Sequence, residues 1–110
     1  MGLKMMNELT RKWLDALRSG KYPQSQYALK RLSGYCCLGV ACDVYDSTRW
    51  EMVPQGFKYM GIVGFLPAVV AEEFGLSNTL IDTVMTMNDA SNASFAEIAD
   101  YIEKELSRDE

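Results

Sequence analysis

Apolar residues recur every three or four positions from residue 5 to residue 19. Met5, Met6, Leu9, Trp13, Leu14 and Leu17 are separated by charged and polar side chains. That spacing predicts an amphipathic helix with one face turned to a core. Ser19-Gly20 ends it, and Pro23 makes Lys21-Tyr22-Pro23-Gln24 a loop. Tyr27 and Leu29 alternate with polar neighbours, which predicts a short strand over 26–30, and Leu32-Ser33-Gly34 reads as a turn.

The next segment breaks the amphipathic rule. Tyr35-Cys36-Cys37-Leu38-Gly39-Val40-Ala41-Cys42-Asp43-Val44-Tyr45 carries one charge and is apolar nearly all round. A helix of that kind is buried on most sides, so the rest of the chain must wrap around it. Ser33 or Gly34 leads into it. Gly39 in mid-helix costs about 1 kcal/mol against alanine, and its use is to let another backbone come close.

Beyond a polar link at 46–49, Trp50–Val53 and Phe57–Met60 flank Pro54-Gln55-Gly56 as a β-hairpin. Leu66-Pro67 opens a helix with proline in its first position, and that helix stops at Gly75. Ser77 or Asn78 caps a further helix over 79–87, and Asn88-Asp89 begins a loop. Ser94 with Glu97 forms a capping box, which opens a last helix over 95–106 with Phe95, Ile98, Ala99, Ile102 and Leu106 as its apolar stripe. The expected fold is α+β: one compact domain over 1–110, mostly helical, with a small antiparallel sheet around a buried cysteine-rich helix.

Composition narrows the class. With 110 residues, 48% hydrophobic and 24% charged, the chain matches an ordinary globular domain. The apolar run 61–71 contains a proline and is too short to cross a bilayer, and no signal peptide is visible, so the expectation is a cytoplasmic protein that does not engage membranes. The three cysteines are an odd number in one element with no C-x-x-C spacing, which favours buried free thiols over disulfides or metal. The absence of histidine removes the commonest general base and the commonest zinc ligand. P-loop and dinucleotide-binding glycine patterns are also absent. A cysteine nucleophile would need a lysine or the helix N-terminus near Cys36 and Cys37 to activate it. No catalytic residue, metal site or cofactor is assigned.

The net charge of −4 is unevenly spread. Residues 1–31 hold seven basic and two acidic side chains, and the remainder holds four basic and thirteen acidic. Such a split either marks an anion-facing surface or is an internal complement between two parts of the fold. Duplex nucleic acid is disfavoured as a partner, because an acidic domain is repelled by most of its phosphates. A small anion needs only a local basic pocket. Lys21, Tyr22 and Gln24 set a cation, an aromatic ring and an amide side by side, types that can clasp a nucleotide.

Three stretches taken together resemble a family. They are Trp13 with Leu17–Gln24, then Gly34–Asp43, and then Met87-Asn88-Asp89 leading into Ser94–Glu103. The layout is similar to that of small bacteriophage and prophage proteins that carry a Tyr-Cys-Cys-Leu-Gly segment. The resemblance implies a phage accessory protein acting in the bacterial cytoplasm. By analogy with such proteins, it implies a non-catalytic anti-defence role: sequestering a small anionic nucleotide immune signal, as a homo-oligomer. In that reading Arg18, Lys21 and Arg31 meet phosphates, Tyr22 packs on base or ribose, Gln24 bonds a polar edge, and Asn88 and Asp89 reach a sugar hydroxyl. The alternatives are a protein–protein inhibitor of a host defence protein and, more weakly, a cysteine-dependent enzyme.

Overall fold

A computed structural model describes residues 7–54 and 56–106. Met5, Met6 and Gln55, assigned above to the first helix and the hairpin turn, lie outside the described residues. The element order is α1 (Glu8–Arg18), β1 (Lys30–Arg31), β2 (Gly34–Tyr35), α2 (Cys37–Tyr45), a 3₁₀ turn (Ser47–Arg49), β3 (Trp50–Val53), β4 (Gly56–Tyr59), α3 (Ala68–Phe74), α4 (Asn78–Asp89) and α5 (Phe95–Leu106). The α+β class holds: among the described residues, five α-helices stand beside two antiparallel pairs, β1–β2 and β3–β4.

The cysteine-rich helix is the centre, as its sequence requires. Every residue of α2 from Cys37 to Cys42 is buried. α1 and α4 pack on it, and α5 bridges those two. The buried face of α1 is Thr10, Trp13, Leu14 and Leu17. Trp13 is fully buried, donates its indole N–H to the Cys37 carbonyl at 2.9 Å, and meets the Phe74 ring edge-on at 5.9 Å. Thr10 is polar within this apolar stripe; its hydroxyl donates to the Phe74 carbonyl at 2.9 Å and ties α1 to the end of α3.

Gly39 has the role its position suggests. A Cβ built there would fall on the Leu29 carbonyl, so only glycine lets this segment lie against the helix. The same carbonyl accepts the Cys36 N–H at 3.1 Å. Cys36, not Ser33 or Gly34, is the residue that opens α2: its sulfur accepts the Gly39 N–H at 3.4 Å in the place a serine oxygen usually takes.

The strand expected over 26–30 does not form. Tyr27 takes a left-handed conformation at φ 71° and its ring is exposed, so the alternation of Tyr27 with Leu29 is not a sheet face. Leu29 is fully buried and donates its N–H to the Val63 carbonyl; β1 and β2 pair only at Lys30 with Tyr35 and Arg31 with Gly34, and Tyr35 also bridges Gln24. The second hairpin forms, with Trp50 opposite Tyr59 and Val53 opposite Gly56; Gly56, expected in the turn, pairs in the second strand, and Met60, expected in that strand, lies beyond it at φ 51°. Pro67 precedes α3 as its cap and is not its first residue. Asn88 and Asp89 are not in a loop; they close α4. The capping box forms as read: the Ser94 hydroxyl accepts the Glu97 N–H at 3.1 Å, and the Glu97 carboxylate accepts the Ser94 N–H at 2.9 Å.

Candidate functional site

The residues singled out from sequence do not form one site. Gln24, Asn88 and Asp89 come together. Asn88 has no exposed surface, although it ends a helix. Its side-chain oxygen accepts from the Gln24 amide at 2.9 Å and from the Cys37 N–H at 3.2 Å. Its amide donates to the Ser25 carbonyl at 2.9 Å and to the Asp89 carboxylate at 2.8 Å. Those four bonds use both lone pairs and both N–H groups of the side chain. Gln24 also donates to the Ala93 carbonyl, and Asp89 accepts the Tyr27 N–H at 3.1 Å. The trio clamps the 23–29 segment and α2 onto the end of α4, so these polar groups face protein partners.

Tyr22 and Arg18 are also engaged. The Tyr22 hydroxyl donates to Asp43 at 2.6 Å, and the Trp50 indole donates to the other oxygen of that carboxylate at 3.0 Å. Burial, reinforced by the Asp43 carboxylate, pushes the Tyr22 phenol far above its ordinary range, so it stays a donor. Arg18 reaches from α1 to Asp100 at 2.7 Å and Glu103 at 2.8 Å on α5. Those hydrogen bonds raise its pKa further. Part of the charge split between the first third and the rest is therefore an internal complement. Lys21 is exposed next to the end of α1.

Arg31 lies elsewhere, at a hollow of about 430 Å³ walled by Tyr27, Ala28, Lys30, Arg31, Val53, Phe57 and Val63. Two cations and two aromatic rings meet there. Lys30 is in no ion pair among the described residues: its ammonium sits 4.3 Å from the centre of the Phe57 ring, 4.9 Å from Tyr35 and 5.1 Å from Trp50. Ring faces attract the ammonium while leaving its full charge uncancelled. Trp50 is the hub of these rings, with Tyr59 at 4.8 Å and Tyr35 at 6.0 Å. Tyr27, Lys30 and Phe57 were not among the sequence-derived candidates. The available signal was the Lys30-Arg31 pair next to a turn, with Tyr27 three residues before it; the Phe57 ring comes from the other hairpin.

The thiols are poorly suited to chemistry. All three cysteines are free and buried. Burial pushes Cys36 up to about 11 despite hydrogen bonds from backbone N–H groups at the helix start. Cys37 and Cys42 are raised by burial as well. Desolvation outweighs the helix N-terminus, which on sequence grounds would have lowered a thiol pKa. Among the described residues no cluster of three His, Cys, Asp or Glu side chains is placed to hold a metal, and no helix is long and apolar enough to cross a membrane.

Comparison with curated proteins and with solved structures gives no match. Residues 5–106 match a family model described as a domain of unknown function, DUF8296. The match runs from α1 to the end of α5 and takes in the α2 centre, the Asn88 clamp and both hairpins, and the chain belongs to the DUF8296 family.

Proposed function

We propose that this protein is a non-catalytic binder of a small anionic ligand bearing a planar ring, of nucleotide type, held in the hollow between the two hairpins. One observation carries the reading: Lys30 and Arg31, neither in an ion pair among the described residues, share a hollow of nucleotide size with the Tyr27 and Phe57 rings. Cations take phosphate oxygens, and an exposed ring such as Tyr27 gives a base a face to stack on. Buried, protonated thiols support binding over turnover. Sequestration of a nucleotide immune signal in a phage-infected bacterium is the role this binding would serve. Of the residues first considered, Arg31 keeps a direct part and Lys21 remains exposed for one. Arg18, Tyr22, Gln24, Asn88 and Asp89 act by shaping the scaffold around it.

The test is a thermal-shift and calorimetry screen against mononucleotides, cyclic dinucleotides and cyclic ADP-ribose forms. At least one should raise the melting temperature, and Arg31→Glu should abolish the shift without lowering the melting temperature of the free protein. A flat response across the panel sinks the proposal. A second reading, an inhibitor that docks on a host protein, is favoured by the exposed Leu32 and Met52 side chains beside the same hollow. Stable capture of one host protein, lost in Met52→Ser, would support it.

A further inference from the structure

Two surfaces of the molecule are complementary to each other, and the first adjoins the ligand hollow through Arg31. The first is the tip of the β1–β2 hairpin. Leu32 is 85% exposed there, beside the exposed cation Arg31, and no other described large apolar side chain is as far out in solvent. The second is a groove of about 440 Å³ between α3 and α4. Leu66, Leu76, Ile81 and Met85 supply its apolar lining, and Ala71 leaves it open by being small. Its rims are acidic: α3 contributes Glu72 and α4 contributes Asp82, both exposed and in no ion pair among the described residues.

We propose that the β1–β2 tip of one copy seats in the α3–α4 groove of a second copy, with Leu32 in the groove and Arg31 between Glu72 and Asp82. An apolar knob beside a cation meets an apolar slot between carboxylates, the arrangement of a dry centre with a charged rim that specific interfaces use. The opposed charges set the partner and the register. Because the two surfaces differ, the contact is head-to-tail, and it builds a ring where the rotation closes. The inference does not depend on a ligand, and a failed nucleotide screen would leave it standing.

The experiment uses the full chain, with light scattering and sedimentation from low micromolar to high hundreds of micromolar. Wild-type protein should grow in mass with concentration. Leu32→Ser, and separately the double substitution Glu72→Lys with Asp82→Lys, should each weaken self-association by about tenfold or more. Both sites are on the surface, and circular dichroism should be unchanged. Mixing the two variants is the decisive step. Each retains one intact surface, so an equimolar mixture should form a one-to-one dimer and nothing larger. Wild-type protein that stays monomeric over the whole range overturns the proposal. So does a mixture that fails to dimerise while wild type associates, because a symmetric contact would then be responsible.

Discussion

The α2–α4 junction and the hairpin end treat their side chains in opposite ways. At the junction, Asn88 is fully buried and all four of its side-chain bonds go to groups of the same chain. At the hairpin end, Leu32 is 85% exposed, Met52 is 72% exposed, and Lys30 faces rings and is in no ion pair among the described residues. The Asn88 side chain has no bonding capacity left for a ligand. The hairpin end has exposed apolar surface and a cation, Arg31, in no ion pair among the described residues. A polar cluster is thus a poor guide to function when its members satisfy one another, and unspent groups are the better guide.

The comparison is broken most severely by removing the hub of the satisfied region. Asn88→Ala leaves the buried Cys37 N–H and Ser25 carbonyl without their partner. Two stranded backbone groups of that kind cost about 4 kcal/mol together. Urea unfolding should show the loss, and a variant within 1 kcal/mol of wild type (roughly the value of one ordinary hydrogen bond) would mean that the junction is not held by this side chain. Gly39→Ala tests the same region through backbone contact. Its new Cβ meets the Leu29 carbonyl, backbone on a segment already anchored by the Cys36 and Val63 bonds, so it has little room to move. A loss of about 3 kcal/mol is expected from overpacking.

Gly39 was legible from sequence, whereas Asn88 was not, and the difference is physical. A glycine in mid-helix is costly at its own position, so its use can be inferred locally. Asn88 acquires its meaning from Cys37, Ser25 and Gln24, which lie 51, 63 and 64 residues away. An Asn-Asp pair after an apolar run reads equally as a turn. The helices were legible because their three- and four-residue periodicity is set by burial on one face, and Ser94 with Glu97 fixed the start of α5. The 26–30 strand was misread because two alternating residues carry little information, and Asp89 draws the Tyr27 backbone into a bend. The hollow at Arg31 was half visible: Tyr27 and its cations are close in sequence, and Phe57 is brought in by tertiary packing. The partners of Arg18 were hidden for the same reason, since its carboxylates stand on α5, 82 and 85 residues away.

Titration sharpens the contrast at intermediate cost. Cys36 is pushed up to about 11 from an ordinary 9.0, chiefly by burial. The native state therefore keeps its proton where the unfolded chain releases it. Stability from this group is complete below pH 9 and is lost as the pH rises towards 11. A rise of that size corresponds to a few kcal/mol, on the order of 1.4 kcal/mol per unit. Cys36→Ser keeps an oxygen to cap α2 and removes the titration, so its urea midpoint should fall less steeply between those pH values than wild type. Parallel slopes would assign the alkaline loss to other groups.

The smallest effect belongs to the hairpin end, and its smallness is the point. Arg31 is exposed and in no ion pair among the described residues, so Arg31→Ala should change stability by no more than about 0.5 kcal/mol. Lys30→Ala, next to it, removes an ammonium held over three rings and should cost about 1 kcal/mol. Two adjacent cations would then differ in what they do for the fold while both serve the hollow. The check is a pair of urea curves together with binding of the best nucleotide from the screen. Both variants should lose binding, and only Lys30→Ala should lose stability. If Arg31→Ala proves as destabilising as Lys30→Ala, Arg31 is serving the fold, and the hairpin end is no longer the region with charge to spare.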